Sequence, residues 1–113
     1  MRALLRNVGR VTVCQVIGNL EFATAADFRS ALADLGARRL VLDLSGVAFV
    51  DSTGVGALIG ALRRTREQGG DVVLCSPRPS VARVLGLVGI GHMVPVVTSV
   101  DDAVAAMSAQ PAA

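Results

Sequence analysis

Asp51-Ser52-Thr53-Gly54 sets an acid, two hydroxyls and a glycine behind the apolar run Arg39–Leu44 and a short connection. The same four residues open a helical pattern carried by Val55, Leu58, Ile59 and Leu62. A helix start offers unpaired backbone N–H groups and the positive end of the dipole, both of which favour added negative charge. Ser52 is therefore well placed for reversible phosphorylation, which would add about −1.5 to −2 charges and three acceptor oxygens. The plainer reading of the same residues is an N-cap pair, with Asp51 and Ser52 satisfying orphan N–H groups.

Other chemistry finds little support. Every basic side chain is Arg, so a Schiff-base lysine and a P-loop lysine are both excluded. Serine hydrolysis needs a base beside the nucleophile and a sharp G-x-S-x-G turn, but Ser52 lies in V-D-S-T-G and the sole histidine, His92, belongs to a distant loop. One His and two separated Cys match no metal-ligand spacing. Gly54-Val55-Gly56 with Gly60 loosely follows a dinucleotide fingerprint, yet no acidic residue ends the next strand and the chain is too short for a paired mononucleotide fold. Glu21 and Asp51 could act as a carboxylate pair, but their spacing does not show that they converge. The expectation is a protein that is not an enzyme and carries no metal or cofactor.

These residues need a frame, and hydrophobic periodicity supplies one. Alternation at Ala3–Arg6 and Val11–Ile17, broken near Val8-Gly9, predicts an antiparallel hairpin at a sheet edge. Thr24 with Asp27 three residues on predicts a helix cap, followed by Phe28, Ala31, Leu32 and Leu35 on one face and a stop at Gly36. Arg39–Leu44 and Val72–Cys75 read as buried strands on either side of the helix that opens at Asp51 and ends near Gly69-Gly70. Pro77 and Pro79 introduce a third helix with Val81, Val84, Leu85 and Val88 inward; Met93–Val97 reads as a last strand, and Ser99 with Asp102 caps a final helix carrying Val100, Ala103, Val104 and Met107 inward. The fold class expected is α/β, a four- to five-stranded, mostly parallel mixed sheet with an N-terminal edge hairpin and about four helices. Arg39–Leu44 should lie inside the sheet.

At 113 residues the chain is one domain, expected over residues 1–108 with a flexible tail at 109–113. Hydrophobic content of 52% against 18% charged residues excludes disorder for the body of the chain. A net charge of +2 from scattered arginines, with three Phe and no Trp or Tyr for base stacking, argues against nucleic-acid binding. Cys14 and Cys75 lie in apolar strand-like runs and read as buried free thiols, with a bridge between them the alternative. No uncharged apolar run is long enough to span a membrane, and the localisation read from these features is cytoplasmic.

The helix after Asp51 carries one unusual choice. Opposite its inward stripe stand Thr53, Gly56, Ala57 and Gly60, although glycine costs roughly 1 kcal/mol relative to alanine inside a helix. Two readings stand: a smooth outward face that another protein approaches closely, or relief of crowding against the first helix.

Taken together, Gly18-Asn19-Leu20-Glu21 and LVLDLSGVAFVDSTGVGALIGALRRTREQGGDVVLCSPRPSVARVLGLVG closely resemble the STAS domains of bacterial anti-sigma factor antagonists. The likeness runs from about Val11 to Met107, and Asp51–Gly56 is its most specific part. It implies a non-enzymatic phosphorylation switch, in which the unphosphorylated antagonist binds an anti-sigma factor that is also a serine kinase and so frees a sigma factor. A PP2C-type phosphatase resets the cycle. By position, the resemblance implies Ser52 as phosphoacceptor and a partner-binding surface of Glu21, Asp51, Ser52, Thr53, Gly56, Ala57 and Gly60. Glu21 departs from the family's more common Asp. The alternatives are a STAS subunit of a lipid-transporting ABC system, where the acceptor serine is commonly absent, and an unswitched scaffold in a signalling assembly.

Overall fold

The structure, a computed structural model, describes residues 1–36 and 39–108, so the tail expected at 109–113 lies outside the described residues. A two-residue turn at Gly9-Arg10 folds β1 (Arg2–Val8) back on β2 (Val11–Ile17), and all of β1 pairs antiparallel with β2. The strands β3 (Arg39–Gly46), β4 (Asp71–Cys75) and β5 (Val96–Val97) follow, each parallel to the one before, giving the order β1-β2-β3-β4-β5. Parallel neighbours need crossovers, and α1 (Phe22–Leu35), α2 (Ser52–Glu67) and α3 (Pro79–Leu87) supply them. Because spatial order equals chain order and crossovers share one hand, all three helices fall on one face of the sheet. The last helix, α4 (Val100–Ser108), packs on the other.

Strand side chains alternate between these layers. Cys14, Val16, Leu40, Leu42, Leu44, Val72 and Leu74 meet Phe28, Val55, Leu58, Leu62, Val81 and Leu85 of the three crossover helices. Val11, Val13, Val41, Val73 and Cys75 meet Ala103 and Met107 of α4. Burial on both faces explains why β3 and β4 are largely apolar, Asp43 being the buried exception, and β3 occupies the middle of the sheet as expected. The two thiols are free and buried on opposite faces of the sheet, so the sheet itself separates them and excludes the bridge. Burial pushes both thiols up to about 11.

Three local readings change. Helix α1 begins at Phe22 with Glu21 as N-cap, so Thr24 is its third residue and not its cap. Its Oγ1 accepts the Glu21 N–H at 3.1 Å and donates to the Asn19 carbonyl at 2.7 Å. The last strand is only Val96–Val97, because Pro95 lacks the N–H a ladder needs and Met93 and Val94 belong to the turn after Ile90–His92. Val88, expected inward, is the exposed C-cap of α3. Among the described residues no helix is long and apolar enough to cross a membrane.

Candidate functional site

Beyond the ends of β2 and β3 the two chain segments stay side by side. Gly18 N–H donates to the Gly46 carbonyl at 3.0 Å and Leu20 N–H to the Phe49 carbonyl at 2.9 Å, and Leu20 and Val50 form an isolated parallel bridge. This extension delivers Glu21 and Asp51 together, as N-caps of α1 and α2. Backbone pairing thus sets the two cap residues side by side.

Asp51 joins the two helix starts. Its Oδ1 accepts the Gly54 N–H at 2.8 Å inside its own helix, and its Oδ2 accepts the Phe22 N–H at 3.1 Å at the first residue of α1. The Gly54 N–H above all, with those of Phe22 and Thr53 behind it, holds the Asp51 carboxyl below the usual aspartate value of 3.8 against an opposing push from burial. Asp51 is therefore occupied as a structural acceptor, which leaves Ser52 as the exposed hydroxyl at the first position of α2. Thr53 is half-buried.

Gly54 is what allows the helix start to sit here. A Cβ at Gly54 would lie 1.8 Å from the Leu20 carbonyl oxygen and 2.4 Å from its carbon. Only glycine fits against that peptide. Cβ atoms at Gly56 and Gly60, by contrast, would meet nothing within 4 Å, so these two glycines relieve no crowding against α1.

The outward face of α2 is rotated from the expected one. Ala57, placed by sequence on the smooth outward face, is fully buried in the main core. Its small size matches the packing reading, since α1 and α2 pack on each other. The exposed residues are Ser52, Gly56, Gly60, Arg63, Arg64, Arg66 and Glu67, which at 100° per residue centre roughly 50° away from the face of Thr53, Gly56, Ala57 and Gly60. The rotation brings Ser52 onto the open face with the two glycines.

Beside Ser52 an apolar groove of about 430 Å³ runs between α2 and α3, lined by Val50, Asp51, Ser52, Val55, Gly56, Ile59, Val84 and Val88. Phe22, 79% exposed next to the Asp51 hydrogen bond, and Phe49, 51% exposed on the loop leading to it, add apolar surface near the two helix starts. Sequence reasoning missed the contribution of α3, because Val81, Val84, Leu85 and Val88 follow one helical stripe; Val81 and Leu85 fill the core while Val84 and Val88 form a groove wall. A stripe wider than a short helix can bury was the available signal. Among the described residues no group of three or more His, Cys, Asp or Glu is placed to hold a metal ion.

Known proteins resemble this chain in sequence and in fold. The anti-sigma F factor antagonist of Paenibacillus polymyxa is 28% identical over 90 residues, covering 76% of this chain and 77% of that protein. The crystal structure of an anti-sigma factor antagonist from Mycobacterium paratuberculosis superposes with a TM-score of 0.85 at 25% identity, over 95% of this chain and 93% of that one. Part of the murine Slc26a9 anion transporter matches with a TM-score of 0.82 at 26% identity, over 93% of this chain but 19% of the transporter. The family model described as STAS domain matches residues 2–103, and with the strand order and helix placement above the chain belongs to the STAS domain family.

Proposed function

We propose that the protein is an anti-sigma factor antagonist controlled by phosphorylation of Ser52. In the unphosphorylated state it docks the groove between α2 and α3 and the exposed start of α2 onto an anti-sigma factor, releasing a sigma factor. That partner is also the serine kinase: phosphate on Ser52 ends the complex, and a PP2C-type phosphatase restores it. The protein acts in the cytoplasm and contributes no catalysis or cofactor of its own.

The observation that carries this reading is the position of Ser52: exposed, first in α2, and on the rim of an apolar groove whose neighbouring carboxylate is already engaged by two backbone N–H groups. A phosphate here places about −1.5 to −2 charges against apolar surface that a partner must desolvate. An unpaired charge at an interface is costly. The names carried by the relatives from Paenibacillus polymyxa and Mycobacterium paratuberculosis support the partner class. Glu21, Asp51, Thr53, Gly56 and Gly60 surround the acceptor as the proposed contact surface, and Ala57 acts from beneath by setting how α2 seats.

Titration calorimetry against the cognate anti-sigma factor tests the proposal. Ser52→Ala retains binding, while Ser52→Glu and the phosphoprotein lose several kcal/mol of affinity. Equal affinities for wild type and the Glu variant reject the switch and leave an unswitched binding module.

A further inference from the structure

The two edges of the sheet are treated differently. An edge is closed to further strands by being short or by carrying proline. Strand β5 uses both devices, with two residues behind Pro95. Strand β1 uses neither: it runs seven residues and leaves Leu4 44%, Leu5 55% and Val8 37% exposed. It also borders the part of the sheet that α4 leaves bare, a groove of about 430 Å³ lined by Leu4, Leu5, Arg6, Val13, Gln15 and Asp43.

We infer that β1 is a homodimer interface, on which a second copy of this chain lays its own β1 antiparallel with Leu5 at the two-fold axis. The register follows from backbone and charge. Val8 and Val11 close a two-residue turn and so exchange both backbone hydrogen bonds, and alternation then points the N–H and C=O groups of Ala3, Leu5 and Asn7 away from β2. Antiparallel pairing must join these residues to their counterparts, and the two-fold registers that pair at least five residues of each strand are centred on Leu4, Leu5 or Arg6. Centring on Leu4 sets Arg2 against the partner's Arg6, and centring on Arg6 sets Arg6 against the partner's Arg6; like charges directly opposite are destabilising.

Centring on Leu5 sets no two arginines directly opposite, and Arg6 meets the partner's Arg6 only on the diagonal, about 7–8 Å away. Arg2 then faces the partner's Val8, Arg6 faces the partner's Leu4, Ala3 faces the partner's Asn7, and all seven residues of each strand are paired. Every outward-facing donor and acceptor of β1 is used, and each exposed leucine gains a cross-strand neighbour on its own face of the joint sheet. The arginines thereby select one register among three. No residue lining the α2–α3 groove belongs to β1, so the dimer presents two open Ser52 surfaces and gains avidity toward any partner that is itself bivalent.

Sedimentation velocity over a concentration series tests this on the purified chain, with circular dichroism to confirm folding of each variant. Wild type shows a concentration-dependent monomer–dimer equilibrium. Leu5→Lys, a change at an exposed site, sets two charges at the axis and yields monomer, whereas Leu87→Lys on the 82% exposed site of α3 leaves the dimer unchanged. Val8→Glu places a carboxylate against the partner's Arg2 twice over and tightens the dimer by roughly two- to thirty-fold, while Val8→Lys weakens it by a similar factor. Wild type that stays monomeric to millimolar concentration, a dimer that survives Leu5→Lys, or Val8 variants that move in the same direction would overturn the inference. Ser52→Glu leaves the equilibrium unmoved, so this result is separable from the fate of the phosphorylation switch.

Discussion

Replacing Gly54 and Gly60 by alanine, one at a time, should move stability in opposite directions, although both glycines lie in α2 with ordinary helical backbone. At Gly60 the new methyl meets nothing within 4 Å. Only the gain in helix propensity and the reduced freedom of the unfolded chain remain, about 0.5–1 kcal/mol of stabilisation. At Gly54 the methyl would sit 1.8 Å from the Leu20 carbonyl oxygen, and reaching the 3.0 Å that real contacts respect requires a shift of about 1.2 Å. The Leu20–Glu21 peptide has little room to retreat. The Leu20 side chain is 1% exposed, its N–H is bonded to Phe49 and its carbonyl accepts the Asp51 N–H, while the Glu21 carbonyl accepts from Ala25 at 2.8 Å. Overpacking of about 1–3 kcal/mol plus one or two weakened hydrogen bonds near 1 kcal/mol each outweighs a propensity gain of about 1 kcal/mol, leaving a net loss of roughly 1–4 kcal/mol. With 113 residues at about 2.1 cal/mol/K each, unfolding entropy is roughly 0.24 kcal/mol/K, so 1 kcal/mol corresponds to about 4 °C in Tm. Gly54→Ala therefore melts about 4–16 °C below wild type and Gly60→Ala about 2–4 °C above it. Calorimetric melts with urea titrations measure both. A Gly54→Ala protein as stable as wild type would refute the close approach and, with it, the account of how α2 is seated.

Ala57→Leu, at a fully buried site, lowers stability by about 1–3 kcal/mol, whereas Gly56→Leu leaves the melting temperature near wild type and weakens anti-sigma factor binding; melts and calorimetry in parallel separate the two. Kinase and ATP place one phosphate on exposed Ser52 and not on half-buried, β-branched Thr53; fragmentation mass spectrometry locates it, and Thr53 modification would reassign the acceptor. Both thiols are raised in the fold from 9.0 to about 11, so their contribution to stability is complete below pH 9 and lost as pH rises toward 11. With no Lys or Tyr in the chain, urea midpoints across that range isolate this loss, and it shrinks in Cys14→Ala and Cys75→Ala relative to their own values at neutral pH. The Asp51 carboxyl is lowered in the fold, so its contribution is complete above the ordinary aspartate value and lost as pH falls below it; Asp51→Asn has a flatter acid limb in the same assay.

Much of the framework is legible locally. Strand and helix alternation comes from period-two and 3.6-residue patterns that each segment carries by itself, and Gly36, with φ 58°, ends α1 where its sequence says. Asp51 heading α2 and Arg39–Leu44 lying inside the sheet are equally readable, because a cap residue before an apolar helix and a strand apolar on both faces each have one common structural use. The STAS resemblance rests on the same residues.

Tertiary structure alone decided the rest. Thr53, Gly56, Ala57 and Gly60 are small enough to suit either a surface or a helix crossing, so periodicity could not fix the rotational phase of α2; packing into the main core did, burying Ala57 and exposing Ser52 with the glycines. The bond from Phe22 to Asp51 spans 29 positions, and Gly54 meets Leu20 across a similar gap. Val84 and Val88 became a groove wall because a nine-residue helix buries only part of a broad apolar stripe against the sheet. Local sequence carries the periodicity of each element, whereas the phase of one element against another depends on packing between residues far apart in the chain, which no single segment encodes.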